Sequence, residues 1–294
     1  MGRNLFSLTM KKLRLTRPVE IVGPDPFGRK AWLRFEPVSA PGWHWRPRRE
    51  HQLLIPIDYG IAKHRVSPGF LYLEYQGQTL RVVEHIISLR FTGLDGVAVS
   101  GSPWPPYHGR PWEAWQAVKS EVEETEESVC WLDPIADTRW EYPPNERGGF
   151  VCVRRTGTFL PGLVVGVSIN YLGLGDRTQY KSFGSGSLAD LEEVFVARAQ
   201  GWPKWRYHLC RLGSRWGCPL LNSVCWPQTM SSDDALNEFV LHRIGDLLGG
   251  FALASHEALV KGNVFSHCAG HRADLELVKK CPFQVETFCK VTYA

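Results

Sequence analysis

Along residues 234–251 the apolar positions Leu236, Phe239, Val240, Ile244, Leu247, Leu248 and Phe251 recur three and four apart, the spacing of one buried face on an α-helix. Ser231, with Asp234 three residues on, opens the segment in the manner of a capping box. The same period predicts helices over Leu80–Phe91, stopping near Gly93; over Trp112–Glu124, with an acidic tail; over 188–199; and over 271–281. Alternating or continuously apolar runs predict strands: a hairpin within Lys12–Val38, turned by Gly23–Gly28, and further strands at 52–57, 70–75, 95–100, 150–155, 163–171, 262–267 and 283–293. Pro41–Glu50 reads as a basic, aromatic loop, and Pro103–Pro111 as a proline-rich loop carrying His108.

The order of elements repeats. Strands, a helix, a strand and a second helix fill the first half, and the same outline fills the second, with a stretch of mixed charge, proline and glycine between them. The expectation is an α+β chain of two domains, residues 1–125 and 149–294, joined by a linker at 126–148. The second domain carries an inserted aromatic and basic segment at 201–227.

Composition narrows the classes. At 294 residues, 44% apolar and 22% charged, the chain has material for a sizeable core and is not of disordered type. No uninterrupted apolar run is long enough to span a bilayer, and the first twelve residues lack the apolar core and cleavage site of a signal peptide, so a cytoplasmic location is expected. The eight cysteines contain no Cys-x-x-Cys pair, which argues for buried free thiols rather than a thiolate metal site. A net charge of +4 is too small for a dedicated nucleic-acid binder but suits a phosphorylated substrate where the excess is local. Some of the twelve tryptophans are expected to line an apolar pocket.

Candidate chemistry starts on the 234–251 helix. His242 and Asp246, four apart, share one helix face, and an imidazole and a carboxylate converging on one point are two-thirds of a catalytic zinc site. Glu84-His85 offers a third ligand beside a carboxylate long enough to act as a base. His256-Glu257 does not make a zinc-protease helix, because Val260 stands where a second histidine is needed.

Taken in order, Val82-Val83-Glu84-His85-Ile86-Ile87-Ser88 with Gly93-Leu94-Asp95, then Glu238 to Asp246, then Ala269-Gly270-His271, resemble the zinc-dependent UDP-3-O-acyl-N-acetylglucosamine deacetylases of lipid A biosynthesis. The resemblance covers most of the chain from about Leu80 onward. It implies two β-α-α-β layers with the helices packed between two sheets. It further implies His85, His242 and Asp246 as zinc ligands, Glu84 as general base and His271 as general acid. Iron could occupy the same nitrogen and oxygen donors.

The sequence also departs from that family's pattern. Val22 to Gly28 lacks the histidine of an N-terminal Gly-Leu-His motif, and Tyr107-His108-Gly109-Arg110 replaces Met-Asp-Gly-Ser. Arg198-Ala199-Gln200-Gly201 replaces Arg-Thr-Phe-Gly, Arg243 replaces a lysine, and Gly250 stands where an aspartate pairs with the general-acid histidine. The resemblance therefore implies a metal-dependent N-deacylase whose substrate has diverged. Its expected substrate is an acylated amino sugar or other N-acyl compound, phosphorylated or nucleotide-linked. Arg243, Arg198, His108, Trp202, Lys204 and Arg206 are the candidate substrate contacts. The classical deacetylase and an idle metal-containing binding protein of the same fold stand as alternatives. A monomer with no nucleic-acid partner is expected.

Overall fold

In the computed structural model the residues described are 10–65, 69–143, 149–155, 162–171, 175–183, 188–197, 199–200, 224–225 and 232–285. The alternating run at the start folds as expected. Val19–Pro24 and Lys30–Pro37 pair antiparallel around a turn in which Asp25 Oδ1 accepts hydrogen bonds from the Phe27 and Arg29 amides at 2.8 and 2.9 Å. This hairpin begins a five-stranded sheet that continues through Val97–Gly101, Trp43–Trp45 and Ile55–Pro56. Successive pairs run antiparallel, antiparallel, parallel and antiparallel.

The second half builds the same sheet. Thr138–Glu141, Phe150–Arg154, Gly262–His267, Leu163–Tyr171 and Gly175–Phe183 lie in that order, with the same sequence of pair directions. A three-stranded sheet also recurs. Lys11–Leu15 sits between antiparallel Val122–Ser128 and parallel Leu94–Asp95, and Trp131–Pro134 sits between antiparallel Phe283–Val285 and parallel Leu259–Val260. Two of these strands, 131–134 and 138–141, form inside the stretch read as a linker, where Trp131, Leu132 and Trp140 are driven into the core. A smaller sheet of Ala62–Arg65, Phe70–Tyr75 and Gln78–Arg81 is added to the first half.

Five helices are described. They are α1 (Val83–Ile87), α2 (Pro111–Val118), α3 (Ala189–Val196), α4 (Ser232–Ala252) and α5 (His271–Lys280). The predicted helix over Leu80–Phe91 is shorter than its period suggests. Its first residues end a strand, and from Ser88 to Thr92 the chain tightens into a 3₁₀ turn that stops at Gly93 with φ 93°. The acidic tail expected on α2 is instead a strand, because Val122–Ser128 meets the basic strand Lys11–Leu15: Lys12 Nζ lies 3.1 Å from Glu127 and 2.9 Å from Asp95. Opposite charges on paired strands outweigh the helical period there.

α4 is the central element. Val240, Ile244, Leu247, Leu248 and Phe251 are fully buried, and each such side chain is worth roughly 1.5–3 kcal/mol of burial. The helix packs on α1, α3 and α5 and on strands 163–171 and 175–183. Its contact with α1 requires Gly249, since a Cβ there would stand 1.9 Å from the Glu84 carbonyl oxygen. Arg90, 4% exposed, donates from the first half to the carbonyls of Ala252, the last residue of α4, and of Ser255 and Ala258 beyond it. One apolar core runs through both halves. Among the described residues no helix is long and apolar enough to cross a membrane.

The cysteines are less uniformly buried than expected. Cys281 is buried, Cys130 and Cys152 are half-buried and Cys268 is exposed, all four as free thiols. The insert at 201–227 lies outside the described residues except for Val224–Cys225, which pairs parallel with Ala199–Gln200.

Candidate metal centre

Helix α1 of the first half and helix α4 of the second meet at this site. The chain enters α1 through Val82 in the left-handed region, φ 51°, and the turn that follows buries both Glu84 and His85. α4 presents His242 and Asp246 from successive turns. Asp246 Oδ1 lies 3.3 Å from His85 Nε2 and 3.6 Å from His242 Nε2, and the two imidazole rings are 5.2 Å apart at 72°. One ligand atom from each of the three side chains lies within 4.8 Å of the others.

Both rings are held from behind. His85 Nδ1 is 3.1 Å from the His108 carbonyl oxygen, and the His242 side chain hydrogen-bonds the backbone of Ala197, just past α3. The His108 carbonyl is aimed by an unusual backbone: Tyr107, His108 and Gly109 are consecutively left-handed, at φ 52°, 59° and 67°. For the two non-glycine residues that conformation costs about 1–2 kcal/mol each. Among the described residues Asp246 Oδ1, buried, has no partner beyond the two imidazoles.

These residues fit a divalent cation. Two imidazole Nε2 atoms and one carboxylate oxygen are the donor set of an open zinc site, and a backbone carbonyl on the far ring nitrogen, as at His85, is a common way to orient such an imidazole. The same donors suit iron. The local field also favours positive charge. Burial opposes protonation of His85, yet Asp246 and Glu84 outweigh it and raise the imidazole to about 9. Burial likewise works against the Asp246 anion, but His242, His271 and His85 hold it well below the usual carboxylate range.

Glu84 and His271 flank His85, His242 and Asp246. Glu84 Oε2 accepts the Leu71 amide at 3.0 Å, which leaves Oε1 facing His271 Nε2 at 3.7 Å. Burial pushes Glu84 up to about 8 and His271 down to about 3. His271 is the first residue of α5, and its Nε2 lies 3.7 Å from Asp246 Oδ2 as well.

Of the candidate substrate contacts, His108 reaches the centre. Its ring meets His85 edge-on at 5.7 Å and stacks on Trp104 at 5.9 Å, and burial lowers it to about 3. Arg243 faces Asp274, to which Nη1 and Nη2 donate at 2.6 and 2.5 Å. Arg198, Trp202, Lys204 and Arg206 lie outside the described residues. The sequence does not single out Leu71, Trp104 or Asp274. Only Asp274 carries a signal, standing one helical turn after His271. Neither a protein-family model nor a curated protein matches the chain.

Proposed function

We propose that the protein is a metal-dependent amidohydrolase, an N-deacylase that cleaves an acyl amide of an amino sugar or related amine. The observation that carries this reading is the convergence of His85, His242 and Asp246, with Glu84 and His271 each brought to within 3.7 Å of a neighbour in the same buried cluster. A divalent cation, zinc or iron, held by His85, His242 and Asp246 would polarise the amide carbonyl and bring the pKa of a water toward about 7. The repeated sheets, with α4 packed on α1 and α5, support a sandwich of two β-α-α-β units with the helices between. That architecture and the motif order favour a diverged relative of the lipid A deacetylases.

Hydrolysis forms a carbon–oxygen bond to water and breaks the carbon–nitrogen bond, so one proton must travel from the water to the departing nitrogen. Glu84 is suited to carry it. Its free oxygen, Oε1, is the one that takes the proton and gives it up again. His271, 3.7 Å from that oxygen, is suited to receive the proton and pass it to nitrogen at Nε2. Leu71 N–H fixes the other carboxylate oxygen, so the carrying one keeps its direction.

The test compares wild type with Glu84→Gln for metal content and for hydrolysis of a panel of N-acyl amino sugars. The variant is expected to keep its metal and lose about 10²–10⁴-fold in rate. Wild type that binds metal and turns over no N-acyl compound would leave an idle binding protein as the better reading.

A further inference from the structure

The Arg243–Asp274 pair has no part in the chemistry described above, and its burial calls for an explanation. Asp274 is wholly buried and Arg243 is 8% exposed; the contact is bidentate, and Arg243 Nη2 also lies 3.4 Å from Ser266 Oγ on strand 262–267. Removing two charges from water costs several kcal/mol each, and apolar residues of similar volume hold a core together as well or better. Stability alone is therefore a poor reason for the pair. Its place suggests another. Arg243 follows the ligand His242 on α4, and Asp274 stands one turn after His271 on α5. The planar fork fixes distance and angle between the two helices, which a single-point contact does not. The close fit beside it agrees: a Cβ on Gly250 of α4 would come within 3.0 Å of Asp274 Cβ, so no side chain keeps the helices apart there.

We infer that Arg243 and Asp274 are positioning residues that set His271 against Glu84 and Asp246 by locking α5 to α4. The three side chains that would hold the metal sit on α1 and α4, so the lock acts on His271 and leaves those three where they are. The inference rests on the hydrolase reading for its kinetic readout only.

Arg243→Lys keeps the buried charge compensated and loses the fork, and Arg243→Met with Asp274→Leu replaces the pair by apolar packing. Both are compared with wild type for kcat, KM, affinity for zinc by chelator competition, urea stability and the His271 ring resonances in ¹⁵N-histidine NMR. A misplacement of about 1 Å is enough for a loss near 10²-fold. In both folded variants kcat is expected to fall about 10–100-fold, with KM and zinc affinity close to wild type and the His271 resonances moved. Wild-type kcat and unmoved resonances, with only stability altered, would overturn the inference. So would a fall in zinc affinity that matches the fall in kcat. Should wild type hydrolyse nothing on the panel, the hydrolase reading fails by itself, and the resonances of His271 in Arg243→Lys decide the positioning role.

Discussion

Two halves with one sheet topology bring different helices to the same point. The second half supplies α4, 21 residues long, and the i, i+4 spacing delivers His242 and Asp246 from regular helical backbone. The first half supplies α1, five residues entered through a left-handed valine, and places Glu84 and His85 from adjacent positions. Adjacent residues on a regular long helix diverge by about 100°. The first half directs both inward with a short turn and a left-handed loop at 107–109 that props His85. Repetition of the scaffold therefore does not repeat the means of presenting ligands. One half uses regularity and the other uses local strain held in place by packing.

That contrast can be broken most sharply at the point where the halves touch. Gly249→Ala forces a Cβ against the Glu84 carbonyl and must move α1 off α4. The expected result is a loss of about 1–3 kcal/mol in stability and about 10²-fold in hydrolysis. Urea unfolding and initial rates measure both, and a variant unchanged in rate would mean that the α1–α4 distance does not govern the site.

A smaller effect tests whether the first-half histidine is the one whose charge the site controls. His85 is raised from 6.5 to about 9, so its proton competes with a cation below that value. Zinc affinity is expected to rise about tenfold per pH unit from about pH 7 to about pH 9 and then level off. The sign for the metal-free protein is opposite. Because the folded value is the higher one, the stability contributed by His85 is complete below 6.5 and is lost as pH rises through about 9. Calorimetric titrations across this range check the first statement, and urea midpoints of chelated protein check the second.

The smallest effect concerns local strain away from the site. Gln76 and Gly77, at φ 46° and 74°, form the two-residue turn between strands 70–75 and 78–81, and Gln76 is exposed. Gln76→Gly relieves the left-handed penalty but frees the unfolded chain, and the hydrogen bond from Gln76 Nε2 to Tyr75 Oη is lost. A net gain of at most about 1 kcal/mol is expected, with hydrolysis unchanged. A thermal midpoint below wild type would show that the left-handed backbone at Gln76 carries too little strain to offset the freedom that glycine gives the unfolded chain.

The difference between the halves also governs what could be read from the sequence. α4 and α5 follow from a 3.6-residue period, and the sites of His242, Asp246 and His271 follow with them. The left-handed residues Val82, Tyr107 and His108 carry no such signal, because valine, tyrosine and histidine adopt that backbone only where distant contacts impose it. The acidic run 122–128 fits a helix tail by composition, and only its basic partner strand, more than a hundred residues away, makes it a strand. Arg243 and Asp274 are 31 residues apart and no local rule joins them. The donor set was legible as residue types, whereas the carbonyls that orient it belong to loops whose course depends on the folded whole.

Arg90 makes the halves inseparable in a further sense. Its guanidinium belongs to the first half, and every acceptor named for it belongs to the second. Cut into two fragments near residues 144–148, the chain would leave a cation in one piece and three bare carbonyls in the other. Each fragment would also expose to water its share of the apolar core that runs through both halves, so each alone is a poor folding unit. Mixed, the two pieces would recover the guanidinium contacts and the ligand set in one association step, and the complementation of fragments and the assembly of the metal centre would be a single event.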